Sequence, residues 1–192
     1  MENPVGEDAK TGWRLRIMRF TRIAVASALL LSVLPTSAQQ DVRAVRSAFV
    51  YNLTKYVAWP KSKRTLLIGF IGDRTTGTTM KQILDGKSSD GRTLQILLNP
   101  TDSELQACDI VYITGAETPK LDPILLKLGQ MPILTVGEDS RFPALGGMVG
   151  LIRSGDQIQI EVNLEALQRA GLKMSSRLLE LATIVSRKQA MK

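Results

Sequence analysis

Apolar residues between positions 42 and 56 fall on Val42, Val45, Phe49, Leu53 and Tyr56. Spacings of three and four put them on one face of a helix, predicted over residues 41–59. Pro60 ends it, because proline pushes the preceding residue out of the α region. Residues 65–71 form a near-continuous apolar run closed by Gly72, the pattern of a strand covered on both faces. A short helix over 76–84, closed by Gly86, leads to a strand over 94–98 that Asn99-Pro100 stops. A helical turn at 101–107 with Glu104 near its start precedes a strand at 110–113. A helix at 121–128, capped by Gly129, then gives way to a strand at 133–136. Strands and helices alternating this closely predict an α/β sheet, mostly parallel, with helices on both faces.

The pattern then changes. Residues 148–152 and 157–162 flank Ser154-Gly155-Asp156, as in an antiparallel hairpin. Asn163 is a good N-cap for a following helix closed by Gly171. Ser175 or Ser176 can cap a last helix with Leu178, Leu181, Ala182 and Val185 on one side. The segment 142–149, with Pro143 and the pair Gly146-Gly147, reads either as the bulge that turns the parallel sheet into the hairpin or as a binding loop.

The N-terminus has a different texture. Arg14, Arg16, Arg19 and Arg22 precede an apolar run of 12 residues, Ile23 to Leu34, followed by Thr36-Ser37-Ala38. A basic stretch, a short apolar run and small residues read as a cleaved secretory leader, too short to span a bilayer comfortably. The expected division is therefore a leader over 1–38 and one α/β domain over 39–192. Met18 gives a more usual start, and residues 1–17 read as an upstream start-site artefact. The expected fate is export from the cytoplasm.

Composition narrows the chemistry. The chain has no His and one Cys, with 25 Lys+Arg against 18 Asp+Glu. Without His, no Ser-His-Asp or Cys-His mechanism and no His-ligated metal site can be built. A single Cys excludes Cys₄ zinc sites, iron–sulfur clusters and internal disulfides. Cys108, next to the apolar run Ile110–Ile113, is expected to be buried. No metal, cofactor or catalytic residue is expected. After the leader the charges are scattered; only Lys61, Lys63 and Arg64 cluster, and a solvated loop explains them better than a nucleic-acid footprint.

Gly72-Asp73-Arg74-Thr75-Thr76-Gly77-Thr78 has the two glycines of a phosphate loop, but Thr78 stands where the lysine should be. Nucleoside-triphosphate hydrolysis is excluded on that ground. A small anion or ligand held near Gly72, Gly77 and Thr78 at the helix N-terminus is the second functional reading. Glu138-Asp139, just after a strand, reads as a water-facing turn rather than a catalytic pair.

Five segments together resemble the YfiR-like family of periplasmic proteins: Tyr51-Asn52-Leu53-Thr54-Lys55-Tyr56-Val57-Ala58-Trp59-Pro60; Cys108-Asp109-Ile110-Val111-Tyr112-Ile113; Ile133-Leu134-Thr135-Val136-Gly137; Gly146-Gly147-Met148-Val149; and the stretch from Val162-Asn163-Leu164 through Ala170-Gly171-Leu172 to Ser175–Ala182. The resemblance spans residues 41–185 in order. It implies a Rossmann-like α/β fold, often dimeric, and regulation without catalysis. The best-known relative restrains an inner-membrane diguanylate cyclase through its periplasmic region and is sequestered by an outer-membrane lipoprotein. Other relatives are thought to serve sensor kinases. That relative carries paired cysteines; Cys108 has no partner, so redox control of folding does not carry over. Two readings follow: a periplasmic regulator of cyclic-di-GMP signalling and biofilm control, or a periplasmic small-ligand sensor. For the first, the expected contact surface is Met148, Val149, Glu161, Asn163 and Leu167, because a sheet-ending hairpin can expose apolar side chains and an edge. A core role for Leu167 and a capping role for Asn163 compete with it.

Overall fold

The computed structural model describes residues 37–59 and 63–186. The expected leader lies outside these residues except for Ser37 and Ala38, and so do Pro60 and Lys61. By spatial contact the chain divides after Gln39, and the unit from Gln40 to Lys192 carries the fold. Among the described residues no helix is long and apolar enough to cross a membrane.

The elements are α1 (Ser37–Tyr56), β1 (Val57–Ala58), β2 (Thr65–Ile71), α2 (Arg74–Leu84), β3 (Ser88–Ser89), β4 (Arg92–Leu98), α3 (Asp102–Ala107), β5 (Ile110–Ile113), a 3₁₀ turn (Gly115–Lys120), α4 (Leu121–Leu128), β6 (Leu134–Gly137), β7 (Val149–Ser154), β8 (Gln157–Val162), α5 (Leu164–Arg169), β9 (Lys173–Met174), α6 (Ser176–Leu179) and β10 (Thr183–Ile184). Eight strands form one sheet in the order β10-β8-β7-β6-β5-β2-β4-β3. Strands β4, β2, β5, β6 and β7 run parallel to one another, and β10 runs parallel to β8; β3 joins β4, and β8 joins β7, antiparallel. This is the predicted α/β architecture, with the hairpin attached through β7.

The period-two alternation of β5 shows how the layers form. Ile110 and Tyr112 join the core under α1, α2, α5 and α6; Val111 and Ile113 join the core under α3 and α4. Both faces are covered, which is why this strand reads as an uninterrupted apolar run. Cys108 lies in the second core, 3% exposed, with its Sγ donating to the Glu104 carbonyl at 3.3 Å. Burial, helped by the Asp109 charge, pushes its thiol pKa up to about 11. The native protein should therefore resist iodoacetamide at pH 7.5 for hours and react within minutes in denaturant. Rapid labelling of the native state would contradict this burial.

Two helices differ from expectation. In α1 the predicted stripe is rotated: Val45 is 44% exposed, while Ser47, Val50, Leu53 and Thr54 are buried. The buried hydroxyls are satisfied, Ser47 on the Arg43 carbonyl within the helix and Thr54 on the Tyr51 carbonyl and on Ser89 Oγ of β3, so polar residues occupy the core face. The helix also ends at Tyr56, because Val57 and Ala58 pair with Met174 and Lys173. The expected last helix stops at Leu179. Thr183 and Ile184 extend the sheet against Glu161 and Val162, leaving Leu181 77% exposed.

Candidate functional site

Strand β2 has β4 on one side and β5 on the other, so the strand order reverses between β2 and β5. In open α/β sheets ligands bind outside the carboxyl ends of the strands at such a point. Gly72 follows β2 and Thr114 follows β5, and they meet there. Gly72 has φ +149°, and a Cβ on it would collide with the Thr114 side chain. Asn99 fixes this backbone, accepting from Gly72 N–H at 3.0 Å and donating to its carbonyl at 3.2 Å.

The crevice is already occupied by the protein's own side chains. Glu138, just past β6, accepts from the Tyr112 hydroxyl at 2.5 Å and pairs with Arg46 Nη1 of α1 at 3.1 Å. The Gly115 N–H approaches the same carboxylate at 3.4 Å. Burial, reinforced by the Glu138 charge and hydrogen bond, holds the Tyr112 phenol well above its ordinary pKa. Arg46 Nε and Thr114 Oγ1 are buried beside this network without a hydrogen bond to any of the described residues. One turn earlier on α1, Arg43 Nε donates to Thr76 Oγ1 at 3.2 Å. Helix α1 is thus strapped across the strand ends. The expectation that Glu138 faces water is corrected here: its carboxylate holds a helix. Asp139, by contrast, does sit in a turn, bridged to Arg141 at 3.1 Å.

The expected anion loop is assembled differently. Asp73 caps α2, its Oδ1 accepting from Thr76 N–H at 2.8 Å. Burial pulls its pKa up, but the Thr76 bonds and the Arg43 charge outweigh it and hold the carboxyl below its usual range. The helix N-terminus therefore already carries a negative charge, which opposes an incoming anion. Gly77 is buried against the Phe70 ring, whereas Thr78 is exposed. An open cavity of about 320 Å³ does lie here, lined by Phe70, Asp73, Arg74, Gly77, Leu98 and Asn99. Gly77 lines it; Gly72 and Thr78 do not.

The expected contact surface is also redistributed. Met148, Val149, Asn163 and Leu167 are buried, and only Glu161 is half-exposed. Met148, Val149 and Leu167 belong to the core beneath α1 and α2. They read as exposed because a hairpin at a sheet end often has one open face; here helices cover it. Burial raises the Glu161 pKa. Asn163 is a hub: its Oδ1 accepts from Ala166 N–H at 2.9 Å, its Nδ2 donates to the Pro143 carbonyl at 2.7 Å, and its own N–H reaches the Met148 carbonyl at 2.9 Å. Asn163→Ala removes a helix cap and strands a buried carbonyl. It should lower unfolding free energy by about 2–3 kcal/mol, measured by urea denaturation; a loss below about 0.5 kcal/mol would mean water replaces both bonds.

The loop at 142–147 is packed through its first residue. Phe142 is fully buried, with its ring lying against both Gly137 and Gly147. No His/Cys/Asp/Glu group able to hold a metal ion occurs among the described residues. A family model described as YfiR/HmsC-like matches residues 43–183, from the strap helix to the edge strand β10. The chain belongs to the YfiR/HmsC-like family, known in general for periplasmic regulators rather than catalysts.

Proposed function

We propose that the protein is a periplasmic, non-catalytic regulator that binds and restrains a membrane-bound signalling enzyme, with a diguanylate cyclase as the favoured receptor and a sensor kinase as the alternative. The family match over residues 43–183 carries this reading, and the secretory pattern of residues 1–38 supports it. In this reading it works as a homodimer and is itself controlled by an outer-membrane lipoprotein. Regulation follows from differential affinity: a bound protein shifts its receptor only as far as it prefers the inactive conformation. Moving a receptor from 99% active to 99% inactive takes about 5.5 kcal/mol of preference.

The receptor contact falls on the exposed end of the hairpin, Arg153 to Gln157, together with Glu161, since the neighbouring apolar residues are committed to the core. Pull-down of the purified protein with the periplasmic region of the cyclase should show binding at micromolar concentration. Arg153→Glu should weaken it, and no binding at that concentration would sink the proposal.

A second reading, a small-ligand sensor, is favoured by the cavity beside Gly77. A ligand that binds only the folded form raises the melting temperature. A thermal-shift screen with nucleotides and amino acids distinguishes the two readings.

A further inference from the structure

A row of cations lies on aromatic rings along the face where α1 meets the β3 edge of the sheet. Tyr51 sits between two ammonium groups, Lys55 Nζ at 4.5 Å and Lys87 Nζ at 5.8 Å from its ring centroid. Its hydroxyl donates to the Ser88 carbonyl at 2.9 Å, which fixes the ring against β3. Next along, Arg92 lies over the Trp59 ring at 5.3 Å, with Nη2 donating to the Thr54 carbonyl at 3.0 Å. Arg64, an exposed residue whose carbonyl accepts from Thr93 N–H, lies next to Arg92 along the backbone.

No carboxylate among the described residues forms an ion pair with Lys55, Lys87, Arg92 or Arg64. The two nearby candidates are taken: Asp85 pairs with Lys81 at 3.3 Å and Asp109 with Lys63 at 2.9 Å. Asp90, in the β3–β4 turn, is the remaining acid and is exposed. Sequence spacing hides this face, because its cations come from α1, the loop before β2, β3's flank and β4.

We infer that this face binds an acidic protein segment, a run of Asp or Glu side chains laid across Lys55, Lys87 and Arg92. The geometry favours carboxylates on a protein over a lipid surface. Tyr51 and Trp59 are covered by their cations and are not free to insert between lipids, as interfacial aromatics do. Arg92 is anchored at one nitrogen, so the rest of its fork is presented in a fixed plane, suited to bidentate carboxylate binding. The inference adds a surface distinct from the hairpin contact and stands or falls apart from the identity of the receptor.

The test measures binding of the purified protein to a fluorescent octaglutamate peptide at low salt, with phosphatidylglycerol vesicles as a separate arm. The wild type should bind the peptide, more weakly as salt rises. The surface variant Lys55→Gln/Lys87→Gln should bind about tenfold more weakly at an unchanged melting temperature, and Arg92→Lys should also lose affinity. Lys127→Gln/Arg141→Gln, which removes two exposed charges on α4 and in the turn after β6, away from this face, should leave binding unchanged. An equal loss in that control, no peptide binding by the wild type, or binding to vesicles but not to peptide would each overturn the inference.

Discussion

Replacing Glu138 with alanine is expected to lower unfolding free energy by about 3–5 kcal/mol, the range for removing one partner of a buried ion pair. The Arg46 and Glu138 side chains are 15% and 12% exposed, so neither exchanges its partner freely for water. The substitution leaves a guanidinium buried beside Tyr112, whose hydroxyl also loses its acceptor. Arg46 Nε already lacks a hydrogen-bond partner among the described residues, so the loss of Glu138 adds to an existing deficit. Urea denaturation measures the loss. Arg46→Met/Glu138→Leu, which removes both charges and keeps the volume, should recover most of it. A single-variant loss below about 1 kcal/mol would show that the pair is solvated, as surface pairs are, and that α1 is not strapped down by it.

Phe142→Ala should cost a similar amount, about 3–5 kcal/mol, through the cavity it leaves. The ring is fully buried and rests on two glycines, one at the end of β6 and one just before β7. Neither glycine has a side chain that can swing in, and paired strands resist collapse. The loss should therefore fall in the upper part of the range. Adding Gly137→Ala to Phe142→Ala gives the new methyl the space the ring vacated, and should restore part of the stability. The same Gly137→Ala change alone should be strongly destabilising. If Gly137→Ala is tolerated in the wild type, the ring does not lie where the structure places it.

The central strands were legible because their chemistry is uniform. Thr65–Ile71 and Ile110–Ile113 are buried on both faces, and their apolar runs match the observed bounds. Leu121–Leu128 and the cap at Asn163 were equally plain. Strands β3 and β10 are not, since two residues carry no periodicity; β3 exists because it folds back on Arg92 and Thr93 just after it, and β10 because Glu161 and Val162 supply partners from some twenty residues earlier. The buried face of α1 departs from its apolar spacing because Ser47 and Thr54 are polar by type yet hydrogen-bonded, one within the helix and one to Ser89.

The candidate site was harder to read. Arg46, Tyr112 and Glu138 come from three separate elements, and only the carboxylate drew notice, as a turn residue. The one signal available was its place immediately after a strand of a parallel sheet, where side chains converge. Met148, Val149 and Leu167 were recognised as apolar, but sequence alone does not say whether a hairpin's second face stays open.

The small ladder between β1 and β9 joins Val57 to Met174 and Ala58 to Lys173. Its two halves are separated by almost the whole domain, so their encounter is a loop closure of the longest kind the chain allows. The seam between first helix and C-terminal region therefore carries a large closure entropy for only two residue pairs. A chain made from its N-terminus cannot fasten this seam until residues 173–174 have emerged, so every shorter length of it carries the first helix without its latch.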